Sequence, residues 1–325
     1  MEIVAVVGPT ATGKSDLALA LAQRLGAPVP AEIVNADAYQ LYRHMDVGTA
    51  KVLPAEREGI VHHQVDVLEV SQDASVADYQ SSARNDLAEI AARGARAIVV
   101  GGSGLYVRAL LDHMDFPGTD PIIREALEAW SEAHGVRATY ERLATVDPIA
   151  AQNIGPHNAR RLIRALEVTE LTGAPYSANL PRQEYVAPAV QIGLDCDRDL
   201  LDARVARRVD AMFARGLVAE VESLVARGLG RTAARAVGYA EIIQYLRGDI
   251  TLEQAHADIT ANTRRLARKQ MGWFGRDPRV QWLSAQDPDL VEKALEIVAR
   301  SERGELEIET KQGAEQEPVR RPLGS

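Results

Sequence analysis

An apolar run over Ile3–Val7 leads directly into Gly8-Pro9-Thr10-Ala11-Thr12-Gly13-Lys14-Ser15. Leu17, Leu21 and Leu25 follow at helical spacing and are stopped by Gly26. A strand, a glycine loop and a helix in that order form the setting of a phosphate-binding P-loop. The glycines let the backbone curl so that successive N–H groups face phosphate oxygens. The helix N-terminus adds partial positive charge. Lys14 supplies a full charge, and the Ser15 hydroxyl is placed to bind Mg²⁺. A chain built on this unit is constrained to an α/β fold whose ligands gather at the carboxyl ends of parallel strands.

The first third keeps the alternation that such a fold requires. Residues 32–35 predict a second strand ending near Asp37. Ser75-Val-Ala-Asp78 is a capping box for a helix that ends before Gly94. Residues 97–100 predict a buried strand that runs into Gly101-Gly-Ser-Gly104. Gly8–Ser15, Asp37 and Ser103 therefore all fall at strand ends and can share one crevice. The pattern changes near Phe116-Pro-Gly, after which only helices are predicted, one starting at Asp120-Pro and one running from Asn158 to Gly173. Residues 190–194 return as a buried strand, followed by helices over 200–215, 218–227, 237–247 and 251–274. A strand over 280–283 and a helix over 288–300 close the pattern. The predicted architecture is a P-loop NTPase-like parallel sheet flanked by helices, with an all-helical insertion. The core is expected over 1–115 and 188–300, the insertion over 116–187, and a polar, Glu-rich disordered tail over 301–325.

Composition narrows the class. The chain has 325 residues, 46% hydrophobic and 26% charged, as in an ordinary soluble enzyme. A single cysteine, Cys196, allows no internal disulfide and suits a reducing compartment. No apolar run approaches the roughly 18 residues that span a bilayer, and Met1-Glu-Ile-Val enters a strand without a leader. A cytoplasmic protein with no membrane partner is expected. The net charge of −9 argues against nucleic-acid binding by bulk charge but leaves room for local basic faces.

Two such faces are present. Arg160, Arg161 and Arg164 span an arc of about 100° on one predicted helix, opposite Leu162, Ala165, Leu166 and Thr169. Arg264, Arg265, Arg268 and Lys269 form a stripe about 140° wide on another, with Trp273 and Phe274 following as expected core residues. Each stripe suits phosphate contacts to a nucleotide or nucleic acid; the alternative is a solvated basic face. Asp37 can bind Mg²⁺ or accept a proton from a nucleophile, or serve only as a turn aspartate. Many P-loop NTPases carry a Mg²⁺-binding aspartate where the strand before Gly101 has none, so a γ-phosphate is not handled here in the usual way. His62 and His63 stand in an exposed-looking stretch with no second metal-spaced cluster, so no zinc site is expected.

The ordered set of segments resembles the bacterial tRNA dimethylallyltransferase family, also called tRNA isopentenyltransferases. It comprises Gly8–Ser15, Asn35-Ala-Asp37, Met45-Asp-Val-Gly-Thr-Ala-Lys51, Gly101-Gly-Ser-Gly-Leu-Tyr106, Arg160-Arg-Leu-Ile-Arg-Ala-Leu-Glu167, Val237-Gly-Tyr239 and Thr263-Arg-Arg-Leu-Ala-Arg-Lys-Gln270. The resemblance covers residues 1 to about 285. It implies transfer of a dimethylallyl group from its diphosphate to N6 of the adenosine on the 3′ side of a tRNA anticodon. It further implies Asp37 as base, with Ser103, Lys14 and Arg235 also catalytic. Gly8 to Ser15 and Arg235 are implied to hold the diphosphate, with Mg²⁺ on Ser15. Asp37, Ala38, Tyr39, Gln40, Ser103, Arg124, Arg160, Arg161, Leu162, Ile163, Arg164, Arg264, Arg265 and Arg268 are implied to meet the tRNA anticodon stem-loop, with the insertion as its clamp. A monomer is expected. Ser103 stands where the family more often has threonine, and Ala240-Glu241 where many members are basic or polar.

Three other readings fit parts of the pattern. A small-molecule kinase also closes an arginine-bearing lid over phosphates, but the late basic stripe has no use there. A prenyltransferase acting on free AMP or ATP needs no insertion. An RNA-binding protein whose nucleotide site only switches its shape yields no covalent product.

Overall fold

The computed structural model describes residues 1–179 and 183–306. Six strands form one all-parallel sheet: β1 (Ile3–Val7), β2 (Ala31–Asn35), β3 (His62–His63), β4 (Arg96–Gly101), β5 (Ala189–Asp195) and β6 (Val280–Ser284), in the order β3-β2-β4-β1-β5-β6. Strand β1 is central, and Val4 to Val7 are fully buried. A parallel strand covered on both faces is apolar throughout, which is why Ile3–Val7 lacks the alternation of a half-exposed strand.

Helices cover both faces. α1 (Lys14–Leu25) packs on one, and α2 (Val76–Ala92) and α3 (Gly104–Leu111) on the other. The segment Asp112–Glu184 forms a compact unit of its own, with α4 (Pro121–Val146, broken at Gly135), α5 (Pro148–Ile154) and α6 (Ala159–Thr172). After β5 come α7 (Arg198–Ala214), α8 (Leu217–Ala226), α9 (Tyr239–Leu246) and α10 (Leu252–Phe274). They share a core containing Leu217, Val221, Tyr239, Ile242 and Ile259 with Tyr42 and Met45. α11 (Leu290–Glu302) follows β6 and joins α1 through Ala294 and Val298.

Several details depart from the sequence reading. β3 was not predicted, because two residues carry no periodicity; His62 and His63 pair with Ile33 and Val34 and are half-buried rather than exposed. His63 Nε2 lies 2.6 Å from the Glu32 carboxylate. The helix expected over 237–247 starts at Tyr239, because Gly238 takes φ +96°. The last helix runs on to Glu302, so residues 301 and 302 of the tail expected over 301–325 are helical; residues 307–325 lie outside the described residues. The helical unit ends at Glu184, not 187. Tyr185 stacks under the Arg279 guanidinium at 4.1 Å and Ala187 packs on the sheet's core, so both belong with the sheet.

The helical unit is built around Leu127, Leu143, Leu162, Ile163 and Leu166. Beside this cluster the Glu167 side chain is fully buried. It accepts from the Arg124 guanidinium, from Arg164 Nη1 at 2.7 Å and from the Asp120 N–H at 3.2 Å. A buried carboxylate persists only with such partners, and removing one side of the arrangement strands the other. Glu167→Ala is expected to destabilise this unit by about 3 kcal/mol, read as a shift in its urea unfolding midpoint.

Candidate active site

The P-loop follows β1 and is shaped by its neighbours. Gly8 has φ +133°, and a Cβ there would lie 2.7 Å from the Leu194 carbonyl oxygen, so the loop leaves the sheet against the backbone of β5. The Pro9 carbonyl accepts from Thr12 Oγ1 at 2.8 Å and from Lys14 Nζ at 2.6 Å, which folds the loop back on itself. Gln270 of α10 accepts the Thr10 N–H at 2.8 Å from outside the loop.

Lys14 is electrostatically exceptional. Desolvation, and then the positive charge of Arg208, bring its pKa down to about 7, against a smaller upward pull from Asp37. Arg208, on α7, is itself lowered by desolvation and supported by the Asp37 charge. Lys14, Arg208 and Asp37 therefore act on one another across one site. The cleft beside them, about 1010 Å³, is lined by the P-loop, α1 and the arginines Arg204, Arg207, Arg208 and Arg215. Its chemistry is that of an anion site: fixed N–H donors and several cations around a loop that has room for a phosphorylated ligand.

Asp37 follows β2 in a tight turn. Asn35 Oδ1 accepts the Asp37 N–H at 3.1 Å, and Asp37 Oδ1 accepts the Tyr39 N–H at 3.0 Å. The turn reaches the loop after β4, where Ser103 Oγ accepts the Ala38 N–H at 3.4 Å. The structure thus brings Asp37 and Ser103 to adjoining loops, joined by a hydrogen bond between residues 65 positions apart in sequence. Gln40 Nε2 and Arg208 Nη2 both donate to the Thr49 carbonyl, at 3.2 and 3.3 Å. The segment carrying Thr49 is pinned in turn by Glu220, which accepts the N–H groups of Asp46, Val47 and Gly48 and the Tyr239 hydroxyl.

Other predicted residues fall elsewhere. Arg235 is exposed at the end of a 3₁₀ turn, Ala233–Arg235, and its charge acts on Tyr39 and Asp73. The cation whose charge acts on Lys14 is Arg208. Arg208 was missed because its spacing from Arg204 on an otherwise unremarkable helix was the only signal. Arg160 and Arg161 are exposed, whereas Arg164 is tied to Glu167 and to the carbonyls of Pro117 and Gly118. Arg124 is likewise bound to Glu167. Leu162 and Ile163 are 0% and 7% exposed, so their side chains belong to the core and offer no contact surface. On α10, Arg265, Arg268 and Lys269 are exposed, while Arg264 Nη2 donates to the Asp202 carbonyl at 3.3 Å. Phe274 is core as expected, but Trp273 keeps 38% exposure and lies against Gly104.

Ser15 tests the expectation of Mg²⁺. Its side chain lines the cleft and makes no hydrogen bond to another described residue. Among the described residues no group of three metal-ligating side chains occurs. A cation on Ser15 must take its other ligands from water and a bound phosphate, and Mg²⁺ is held in this way. No helix among the described residues is long and apolar enough to cross a membrane.

A central parallel strand feeding a P-loop, with a carboxylate turn on the neighbouring loops, defines a P-loop α/β protein; the helical segment 112–184 is inserted between β4 and β5. The chain belongs to the IPP transferase family, whose pattern it matches over residues 40–277. It is 52% identical to the tRNA dimethylallyltransferase of Bifidobacterium animalis subsp. lactis over 94% of this chain and 89% of that protein. It is 54% identical to the tRNA dimethylallyltransferase of a Nocardioides species over 91% and 96%. The crystal structure of tRNA isopentenylpyrophosphate transferase from Bacillus halodurans superposes with a TM-score of 0.68 at 39% identity, covering 94% of this chain and 97% of that one.

The Lys14 environment fixes a pH dependence. An anion on the P-loop stabilises the protonated ammonium and raises its pKa from about 7. Binding is then proton-neutral at Lys14 well below pH 7 and takes up a proton above it. Pyrophosphate affinity is expected to fall as pH rises through 7 to 9, and Lys14→Arg to flatten that limb. Calorimetry in buffers of different ionisation enthalpy measures the proton uptake; equal uptake by the two proteins removes Lys14 as its source.

Proposed function

We propose that the protein is a tRNA dimethylallyltransferase. In this reading it moves the dimethylallyl group of dimethylallyl diphosphate to N6 of the adenosine on the 3′ side of the anticodon. The C1–O bond breaks, the C1–N6 bond forms, diphosphate leaves, and the N6 proton passes to Asp37. The observation that carries the reading is the joining of the Asp37 turn to the Ser103 loop, with Asp37 electrostatically coupled to Lys14 and Arg208.

The roles follow from charge. As C1–O breaks, negative charge grows on the departing diphosphate. The P-loop N–H groups other than that of Thr10, which Gln270 accepts, are fixed donors for it, and Lys14 and Arg208 are its cations. Mg²⁺ held by Ser15 and the diphosphate would add positive charge there. Adenine N6 is a weak nucleophile because its lone pair is delocalised into the ring. A carboxylate that takes its proton during attack strengthens it, and Asp37 has one oxygen held by Tyr39 and the other free to do this. Ser103 already accepts one N–H, and its hydroxyl proton is available to the base.

Base chemistry on N6 requires the adenosine to leave its stack. Ala38, Tyr39, Gln40 and Arg235 flank the turn that receives it. In this reading the RNA backbone is met by Arg160 and Arg161 on the helical unit and by Arg265 and Arg268 on α10. Arg124, Arg164 and Arg264 shape those faces through their internal partners. The family relationship favours this chemistry over a kinase, and the protein is proposed to act in the cytoplasm, where tRNA is met. The chain is proposed to act as a monomer.

Asp37→Ala is expected to lower kcat by roughly 10²–10⁴, with tRNA affinity retained; prenylated adenosine released by nuclease digestion and counted by mass is the readout. A near-normal kcat refutes Asp37 as base. Replacing Arg160 and Arg161 together by Ala is expected to weaken tRNA binding and reduce its log–log salt slope by about 1.5. Titrations between low and moderate salt measure this, and an unchanged slope makes that face merely solvated.

A further inference from the structure

Gln270 connects two loops that the chemistry must keep in register. It projects from α10 and is only 8% exposed. Its Oε1 accepts the N–H of Thr10, 260 positions away in the P-loop. A backbone N–H can be met only by the carbonyl side of the amide, so the orientation of the side chain is determined. The Nε2 end therefore faces the other way, toward Gly102. A Cβ at residue 102 would lie 2.4 Å from Nε2 and 3.3 Å from the Gly8 carbonyl oxygen. One amide is thus wedged between the tip of the P-loop and the turn that carries Ser103. Among the described residues, Nε2 has no protein acceptor.

The contact has a specific consequence for anion binding. In a P-loop the N–H groups turn inward to the phosphate. The Thr10 N–H is diverted outward to Gln270, which anchors the loop from behind. Without an acceptor, that N–H must be buried unpaired, or must rotate inward and disturb the curl of the loop. The backbone of α10, held in the sheet's core by Phe274, gives the anchor a rigid base.

We propose that Gln270 is a positioning residue that sets the P-loop against the Gly102–Ser103 turn, and so the placement of the leaving diphosphate relative to the accepting amine. The proposal rests on the reading of the P-loop as the diphosphate site. The test uses the full chain with Mg²⁺ and pyrophosphate, followed by kinetics with dimethylallyl diphosphate and tRNA. Gln270→Met fills the same space and replaces the amide oxygen by a thioether, a much weaker acceptor. It is expected to raise the pyrophosphate Kd and the KM for the prenyl donor about tenfold, with tRNA Kd within about twofold of normal. Met271→Ala, a buried neighbour on the same helix, controls for general loosening. It should lower Tm while leaving the pyrophosphate Kd unchanged. Gly102→Ala approaches the same amide from the other loop. It should also weaken pyrophosphate binding, and should add little in the Gln270→Met background. Should Gln270→Met not fold, Gly102→Ala alone decides, and normal pyrophosphate affinity in it overturns the proposal. An unchanged Kd in Gln270→Met beside a raised Kd in Lys14→Ala overturns the role of Gln270. An equal rise in Met271→Ala overturns it too. Normal affinity in both Lys14→Ala and Gln270→Met overturns the diphosphate reading and this proposal with it.

Discussion

The site depends on how closely backbone can approach backbone at the carboxyl edge of the sheet. The P-loop leaves β1 where a side chain at residue 8 would strike the Leu194 carbonyl, and β4 ends where one at residue 101 would strike the Ala36 carbonyl. These approaches turn the ends of β1, β2 and β4 into adjoining walls of one crevice. Central placement of β1 between β4 and β5 makes this possible, because its loop then has neighbours on both sides.

Around that crevice the protein concentrates positive charge in spite of a net charge of −9. Desolvation holds Lys14 near neutrality, and the proximity of Arg208 adds to the effect. Such a group is poised: an entering anion favours its protonated form and raises its pKa from about 7. The arrangement is maintained at a distance by Glu220, whose carboxylate gathers three consecutive N–H groups and so places the Thr49 carbonyl that receives Arg208. The helical unit uses charge differently. There Glu167 consumes Arg124 and Arg164 in a buried cluster and leaves Arg160 and Arg161 outward.

The same contrast explains which expectations survived contact with the structure. Strand ends and caps were readable because each depends on a few adjacent residues: Ser75 accepts from Asp78 N–H, Asn158 from Arg161 N–H, and Gly173 ends α6 in the left-handed conformation. Arginine roles were not readable from a helical wheel. Arg164 lies on the same arc as Arg160, yet its guanidinium turns inward because a buried carboxylate waits one turn on. Leu162 and Ile163 sit within the arginine-rich segment but are claimed by the apolar core. The two-residue strand β3 was invisible because only its partner β2 makes it a strand.

The sequence by itself determined the local machinery: a curled phosphate loop after an apolar strand, a carboxylate after the second strand, a glycine-rich turn after the fourth, and an interruption by helices alone. Those follow from short-range geometry, the preference of particular residues for particular φ and ψ, and the period of apolar positions. Only the tertiary structure decided which distant groups meet them. Gln270 on Thr10, Glu220 beneath residues 46–48 and Ser103 against the Asp37 turn are contacts across 65 to 260 positions, and the charge of Arg208 acts on Lys14 from another helix. No local propensity encodes such pairs; they arise when the packing of α7, α8 and α10 brings polar side chains to backbone groups that the sheet's edge has left without partners.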